Sequence, residues 1–251
     1  MVTKSTKVII FGRKPIEELL ATQPSIVNRI WVEDSVKNVN FENIRKYAKQ
    51  SRIAINSVPE LKLRNLVGAD AKHQGVVAEL SYFPYTDFDK WLSNVDTSKN
   101  PAVFLLDEIQ DPHNVGAIIR TAAAAGMSAV LMPEHRQAPV NGTVFKTSAG
   151  ACIHIPIVRI GNVVQTLSAL KEKGFWAYAI IADGETSLFD YDHTTPAVFV
   201  LGNEGDGIRR LTRDKCDGSF VIPMPGNNIE SLNVAATAAV VAYEYVRKSV
   251  K

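Results

Sequence analysis

From Ala102 onward, short apolar runs alternate with helical stretches, and this alternation constrains the fold more than any other feature of the chain. Strand-like runs fall at Ala102–Leu106, Ala129–Met132, His154–Val158, Trp176–Ile181, Val198–Leu201 and Ser219–Ile222. Helical stretches fall at Asn114–Ala125, Asn162–Lys173, Ile208–Cys216 and Leu232–Val246. Runs so uniformly apolar need cover on both faces, and strands joined through helices run parallel. The pattern therefore predicts an α/β fold built on a mainly parallel sheet. The last helix is apolar nearly all round, which predicts burial on several sides. Asn233 at its start and Glu244 near its end argue against a membrane span.

Residues 1–82 show a shorter version of the same alternation. Strands are expected at Val8–Phe11, Ile26–Val32, Ile53–Ile55 and Gly75–Leu80. Helices are expected at Ile16–Ala21, with Pro15 at the first helical position, at Phe41–Ser51, and from Pro59 toward Leu66. Residues 83–98 read as a linker holding one short helix around Phe88–Asn94, which leaves 99–251 as a second domain. A chain of 251 residues is long enough for that division. Charge divides the same way. Residues 1–82 carry 13 Lys/Arg against 8 Asp/Glu, and the remainder carries 15 against 18. A basic first part suits docking on a polyanion, although five excess charges fit a solvated surface equally well.

Several function classes drop out. No apolar run is long and charge-free enough to span a bilayer, and no signal-type apolar core follows the N-terminus, so the cytoplasm is the default. Cys152 and Cys216 have no metal-type spacing, and neither do His73, His113, His135, His154 and His193, so no metal site is expected. Gly202, Gly205 and Gly207 follow a strand but do not make the GxGxxG of dinucleotide sites, and no GxxxxGK[ST] is present.

Three stretches place polar side chains where an apolar strand gives way to a loop or helix, which is where open α/β folds build active sites. In the first, Asp111-Pro112 turns the chain after the Ala102–Leu106 run, Asn114 sits at a helix start, and Arg120 follows within an Ile/Ala stretch. Alone, Asn114 reads equally as a helix cap and Arg120 as a surface residue. A guanidinium among aliphatic side chains must reach water or an anion, and its planar fork suits a phosphate. The second stretch, Leu201-Gly-Asn-Glu-Gly-Asp-Gly207, sets Glu204 between glycines. The third, Ile222-Pro-Met-Pro-Gly-Asn-Asn-Ile-Glu-Ser-Leu-Asn-Val234, brings Ser231 and Asn233 to the start of the last helix, where plain capping is the simpler reading.

Taken together and in this order, the three stretches resemble the motifs of the SpoU (TrmH-type) RNA ribose 2′-O-methyltransferases of the SPOUT superfamily. Gly12-Arg13 and His73-Gln-Gly-Val-Val-Ala78 likewise resemble the ends of the small ribosomal-protein-like RNA-binding domain that precedes many of their catalytic domains. The resemblance implies a trefoil-knotted catalytic domain over residues 99–251, a homodimer, and S-adenosylmethionine as cofactor. Carried over by position, Gly202, Ile222, Met224 and Leu232 contact the cofactor. Asn114, Arg120, Glu204, Ser231 and Asn233 line the reacting ribose. The two-domain plan is similar to that of RlmB-type enzymes, which implies an rRNA substrate, a guanosine of the 23S molecule, ahead of tRNA; neither DNA nor a membrane is expected as a partner. A non-catalytic RNA-binding or ribosome-assembly factor on the same fold is the alternative. The spacer Pro225–Glu230 exceeds the usual family length by about one residue, which leaves open whether Asn227, Asn228 or Glu230 faces the ligand. Lys146, in the segment between the first two motifs, reads as a solvated lysine ahead of one that touches the cofactor pocket or a phosphate.

Overall fold

The computed structural model describes residues 8–35, 41–69, 71–192, 194–226 and 231–249. It divides into two compact units, one formed by Met1–Pro84 with Val140–Ile153 and the other by Tyr85–Pro139 with His154–Lys251.

In the first unit the elements run β1 (Val8–Phe11), α1 (Arg13–Thr22), β2 (Val27–Glu33), α2 (Glu42–Gln50), β3 (Ala54–Val58), α3 (Glu60–Val67) and β4 (Val76–Leu80). The sheet order is β1-β4-β2-β3, with β2 and β3 parallel and the other pairs antiparallel. α1 begins two residues before Pro15, the position expected to open it. Proline is tolerated there because the first turn's N–H groups have no intrahelical acceptor. Ile16, Leu19 and Leu20 form its buried stripe at helical spacing. A later piece of chain completes this unit. The helix Gly142–Thr147 is capped by Asn141, whose side chain accepts from the Thr143 and Val144 N–H groups, and it sets Phe145 edge-on to Phe11. Lys146 is exposed on that helix.

The second unit contains β5 (Thr86–Asp87), α4 (Phe88–Asn94), β6 (Ala102–Asp107), α5 (Pro112–Ala124) and β7 (Ala129–Pro133). Past α6, the Gly142–Thr147 helix of the first unit, it continues with β8 (Ile157–Ile160), α7 (Val163–Glu172), β9 (Trp176–Ile180) and β10 (Thr186–Ser187). It closes with β11 (Ala197–Gly202), α8 (Arg210–Arg213), β12 (Gly218–Val221) and α9 (Val234–Ser249). The eight strands lie in the order β10-β12-β9-β11-β6-β7-β8-β5, and every pairing is parallel. The expected mainly parallel sheet is thus wholly parallel. Both faces of β6 and β11 are buried, which is why their residues read as unbroken apolar runs. Val103, Leu105, Val198 and Val200 pack with Leu167, Leu170 and Phe175 in one core layer. Trp91, from the stretch read as a linker, joins that layer, and β5 pairs with β8.

α9 departs from expectation. Only Val234, Ala238, Val241, Ala242 and Glu244 are buried, so a single stripe packs inward, against α5 among other elements, and Tyr243 is 56% exposed. The buried Glu244 carboxylate is paired with Arg247 at 2.6 and 2.8 Å, which offsets the cost of desolvating it.

Candidate active site

The carboxyl ends of β9, β11 and β12 face a cavity of about 700 Å³. Its lining is of two kinds. Ile180, Leu201, Ile222, Met224, Leu232 and Val234 are apolar, and Asp183, Glu204, Asp206, Arg213, Ser231 and Asn233 are polar or charged. Small-molecule sites have this composition, an apolar wall with a few fixed polar groups, and this size range.

Local backbone chemistry builds the walls. Asn203 Oδ1 accepts from Gly205 N at 2.8 Å, and the Asn203 and Gly207 backbones pair across the turn at 3.0 Å in both directions. Glu204 is thereby held at the tip of a closed loop. Gly202 is obligatory at its base, since a Cβ there would lie 2.3 Å from the Gly207 carbonyl carbon and 2.4 Å from Ile208 N. Gly184 meets the same restriction 2.4 Å from the Phe220 carbonyl carbon, so the segment after β9 runs hard against β12.

Asn114 joins the three motif stretches. Its Nδ2 donates to Glu204 Oε1, and its Oδ1 accepts from Asn233 Nδ2 at 3.1 Å. One carboxamide therefore bridges residues 90 and 119 positions away in the chain. Asn114 is not a cap. α5 is capped by Asp111, whose carboxylate accepts from His113 N at 2.8 Å, with Pro112 in the first turn. Asn233 does cap α9, accepting from Ala235 N at 2.9 Å and Ala236 N at 3.4 Å, and it still has Nδ2 free to reach Asn114. Ser231 lines the cavity without capping. Arg120 lies farther along α5, exposed, with no hydrogen-bond or ion-pair partner among the described residues and no place in the cavity wall.

The structure therefore brings Gly202, Glu204, Ile222, Met224, Ser231, Leu232 and Asn233 to one cavity, attaches Asn114 to it by hydrogen bonds, and leaves Arg120 outside its lining. Asn227, Asn228 and Glu230 of the long spacer, and His193, lie outside the described residues. Two ion pairs escaped the sequence reading. Arg213 meets Asp183 at 3.0 Å on the cavity wall. Arg209 clamps the fully buried Asp107 at 2.6 Å through Nη2 and 2.8 Å through Nε. Burial opposes the charge on Arg209, yet its hydrogen bonds to Asp107 and the charges of Asp107 and Glu108 hold the guanidinium above its ordinary range. Among the described residues no cluster of His, Cys, Asp or Glu is suited to a metal ion, and no helix is long and apolar enough to cross a membrane.

The family model of the SpoU rRNA methylases matches residues 101–243, which hold every one of these groups. The chain belongs to the SpoU methylase family. A second model, for RNA 2′-O ribose methyltransferase substrate binding, matches residues 9–86 of the same chain. This SpoU methylase is 38% identical over 242 residues to a Staphylococcus haemolyticus protein assigned to the TrmH family of tRNA/rRNA methyltransferases, with 96% of each chain covered. A Staphylococcus saprophyticus protein of the same assignment is 36% identical over 243 residues, again with 96% of each covered. Among solved structures, the SpoU methyltransferase AviRb from Streptomyces viridochromogenes, in complex with its cofactor AdoMet, matches with a TM-score of 0.78 at 25% identity. That match covers 97% of the present methylase and 91% of AviRb. An AdoMet-bound rRNA methyltransferase from Sinorhizobium meliloti shares the fold with a TM-score of 0.81 at 22% identity, over 96% and 87% of the two chains.

Proposed function

We propose that this SpoU methylase transfers a methyl group from S-adenosylmethionine to a ribose 2′-oxygen of RNA, and that its target is a guanosine of large-subunit (23S) rRNA. The observation that carries the proposal is the Asn114 bridge, which gathers motif-derived polar groups beside an apolar cavity.

The cavity suits the cofactor. Ile222, Met224 and Leu232 offer an apolar seat for adenine, and the turn at Gly202 brings backbone close to the ligand. Arg213 is balanced by Asp183, which leaves Glu204 and Asp206 as the negative charge of the cavity wall that would favour a cationic sulfonium. When bound, the cofactor supplies an electrophilic methyl group, so the protein's tasks are alignment and handling of the hydroxyl proton. Asn114, Ser231 and Asn233 present amide and hydroxyl groups that orient the ribose, and such positioning is worth several kcal/mol of a barrier. Arg120 acts through its fixed positive charge and planar fork and not as a base. On the open face of α5 it clamps the RNA phosphate and offsets charge developing on the 2′-oxygen, and the proton leaves through water.

The basic balance of residues 1–82 and the two-domain plan, similar to RlmB-type enzymes, support rRNA over tRNA. Recognition would rest on RNA shape and unpaired bases. A homodimer covering the exposed side of α9 around Tyr243, a trefoil knot in the C-terminal half, and a cytoplasmic setting complete the proposal.

The test is methyl transfer from labelled S-adenosylmethionine to total rRNA and, separately, to total tRNA, with the modified nucleotide mapped. Label at one 23S ribose 2′-oxygen is the expected result. Label confined to tRNA would overturn the substrate. Cofactor binding absent altogether would favour an RNA-binding factor.

A further inference from the structure

Between β6 and α5, ahead of the Asp111-Pro112 turn, the chain passes through a left-handed residue that the sequence gives no reason to expect. Glu108 has a φ of 64°, in the left-handed region that a side chain with a Cβ seldom adopts. Backbone held there persists only where the surroundings over-determine it. Here the restraints come from two directions. Asn203 Nδ2 donates to the Glu108 carbonyl at 2.8 Å. Arg209 donates its backbone N–H to Asp107 Oδ2 at 3.0 Å and its side chain to Asp107 Oδ1. From the loop after β7, Gln137 Oε1 accepts from Ile109 N at 2.9 Å, and Ala138 N donates to the Ile109 carbonyl at 3.0 Å. Glu108 Oε1 lies 3.0 Å from Arg209 Nη1 and 3.6 Å from Arg136 Nη1, without the alignment of a hydrogen bond, so that contact is purely Coulombic.

The start of α5 follows directly from this turn. Asp111 caps α5 four residues after the Asp107 carboxylate, and Asn114 follows in the first turn of that helix. Arg209 belongs to the same loop as Glu204, the other partner of Asn114. We propose that Arg209 is a positioning residue for methyl transfer, tying the Glu204 loop to the strained Asp107–Ile109 turn so that Asn114 meets Glu204 and Asn233 in register. Arg209 does not line the cavity and needs no contact with cofactor or RNA. This inference rests on the proposed function only for its kinetic readout. Its structural readout stands alone.

The experiment compares wild type, Arg209→Lys, Arg209→Met and the double variant Asp107→Asn/Arg209→Met, which strands no charge at the fully buried position 107. Three quantities are measured: cofactor affinity by calorimetry, kcat at saturating cofactor and RNA, and amide hydrogen exchange across residues 108–116. Misplacement by about 1 Å costs on the order of 10²-fold in rate. Arg209→Met and the double variant should each lose on the order of 10- to 100-fold in kcat with cofactor affinity within about threefold of wild type, and Arg209→Lys should recover part of the loss. Exchange over 108–116 should quicken in the Met variants while α7 and β9 are unchanged. The proposal is overturned if the double variant keeps wild-type kcat, since the pair would then only neutralise charge. It is also overturned if cofactor affinity falls in proportion to rate, or if exchange at the turn is unaltered. A wild type that transfers no methyl group counts against the proposed function, and the exchange result then decides the positioning role by itself.

Discussion

Asn233 donates from Nδ2 to Asn114 Oδ1 at 3.1 Å while its own Oδ1 accepts the N–H groups that open α9. One side chain thus serves helix and site through different atoms, and substitution can separate the two. Asn233→Asp keeps a good cap acceptor but has no donor for Asn114. It should unfold within about 0.5 kcal/mol of wild type yet lose on the order of 10²-fold in kcat. Asn233→Ala should lose the same rate and, in addition, about 1 kcal/mol of stability. Urea melts beside single-turnover methylation check both, and an active Asn233→Asp enzyme would remove the amide bridge from the mechanism.

Asn114 itself does not line the cavity. Asn114→Ala should therefore cut turnover by at least about 10²-fold and leave cofactor affinity within about threefold. Calorimetry with S-adenosylmethionine, set against turnover, reads the split directly.

Gly202→Ala forces a methyl group to within 2.3 Å of the Gly207 backbone, which cannot yield without moving Gly207 and Ile208, both part of the cavity wall. The cost should be about 1–3 kcal/mol of stability, as for other overpacked sites. Cofactor affinity should weaken tenfold or more. Gly226→Ala, where an added Cβ meets nothing within 4 Å among the described residues, is the matched control.

Arg120 is exposed and unpaired among the described residues, so its substitution leaves no buried group stranded. Arg120→Lys keeps the charge and loses the planar fork. Turnover should fall about tenfold or more with the melting temperature unchanged. Near-normal turnover would exclude a bidentate phosphate contact.

Burial pushes the Cys152 thiol from 9.0 to about 12, and burial with the nearby Asp217 charge does the same for Cys216. A folded-state value above the unfolded one means that the native protein holds protons the unfolded chain releases. The stabilisation is complete below pH 9.0 and is lost as pH rises from there toward 12. Between pH 8 and 10.5 wild type should lose roughly 1–2 kcal/mol more than Cys152→Ala in urea melts. Both thiols should resist iodoacetamide at pH 8 until the protein is denatured.

The long strands were legible because burial on both faces leaves runs such as Ala102–Leu106 and Val198–Leu201 without a polar interruption. β5 and β10 were not, because two residues carry no periodicity. The helix Gly142–Thr147 is too short to show an amphipathic repeat. The helix expected over Ile208–Cys216 shrinks to Arg210–Arg213, and Arg209 just ahead of it is engaged by Asp107. The last helix begins at Val234 and not Leu232, because Asn233 is its cap. At the site, motif order alone singles out Asn114, Glu204 and Asn233. Arg209 and Arg213 stayed hidden in an ordinary charged stretch, since nothing local shows that the carboxylate facing Arg209 lies 102 positions earlier.

The two outermost strands of the eight-stranded sheet, Thr86–Asp87 and Thr186–Ser187, are only two residues long. A parallel sheet with long open margins would offer rows of unmatched N–H and C=O groups to any neighbouring molecule, and such margins seed aggregation. Here each margin is too brief to template another strand. Copies of this sheet should therefore not join edge to edge when the folded enzyme is concentrated.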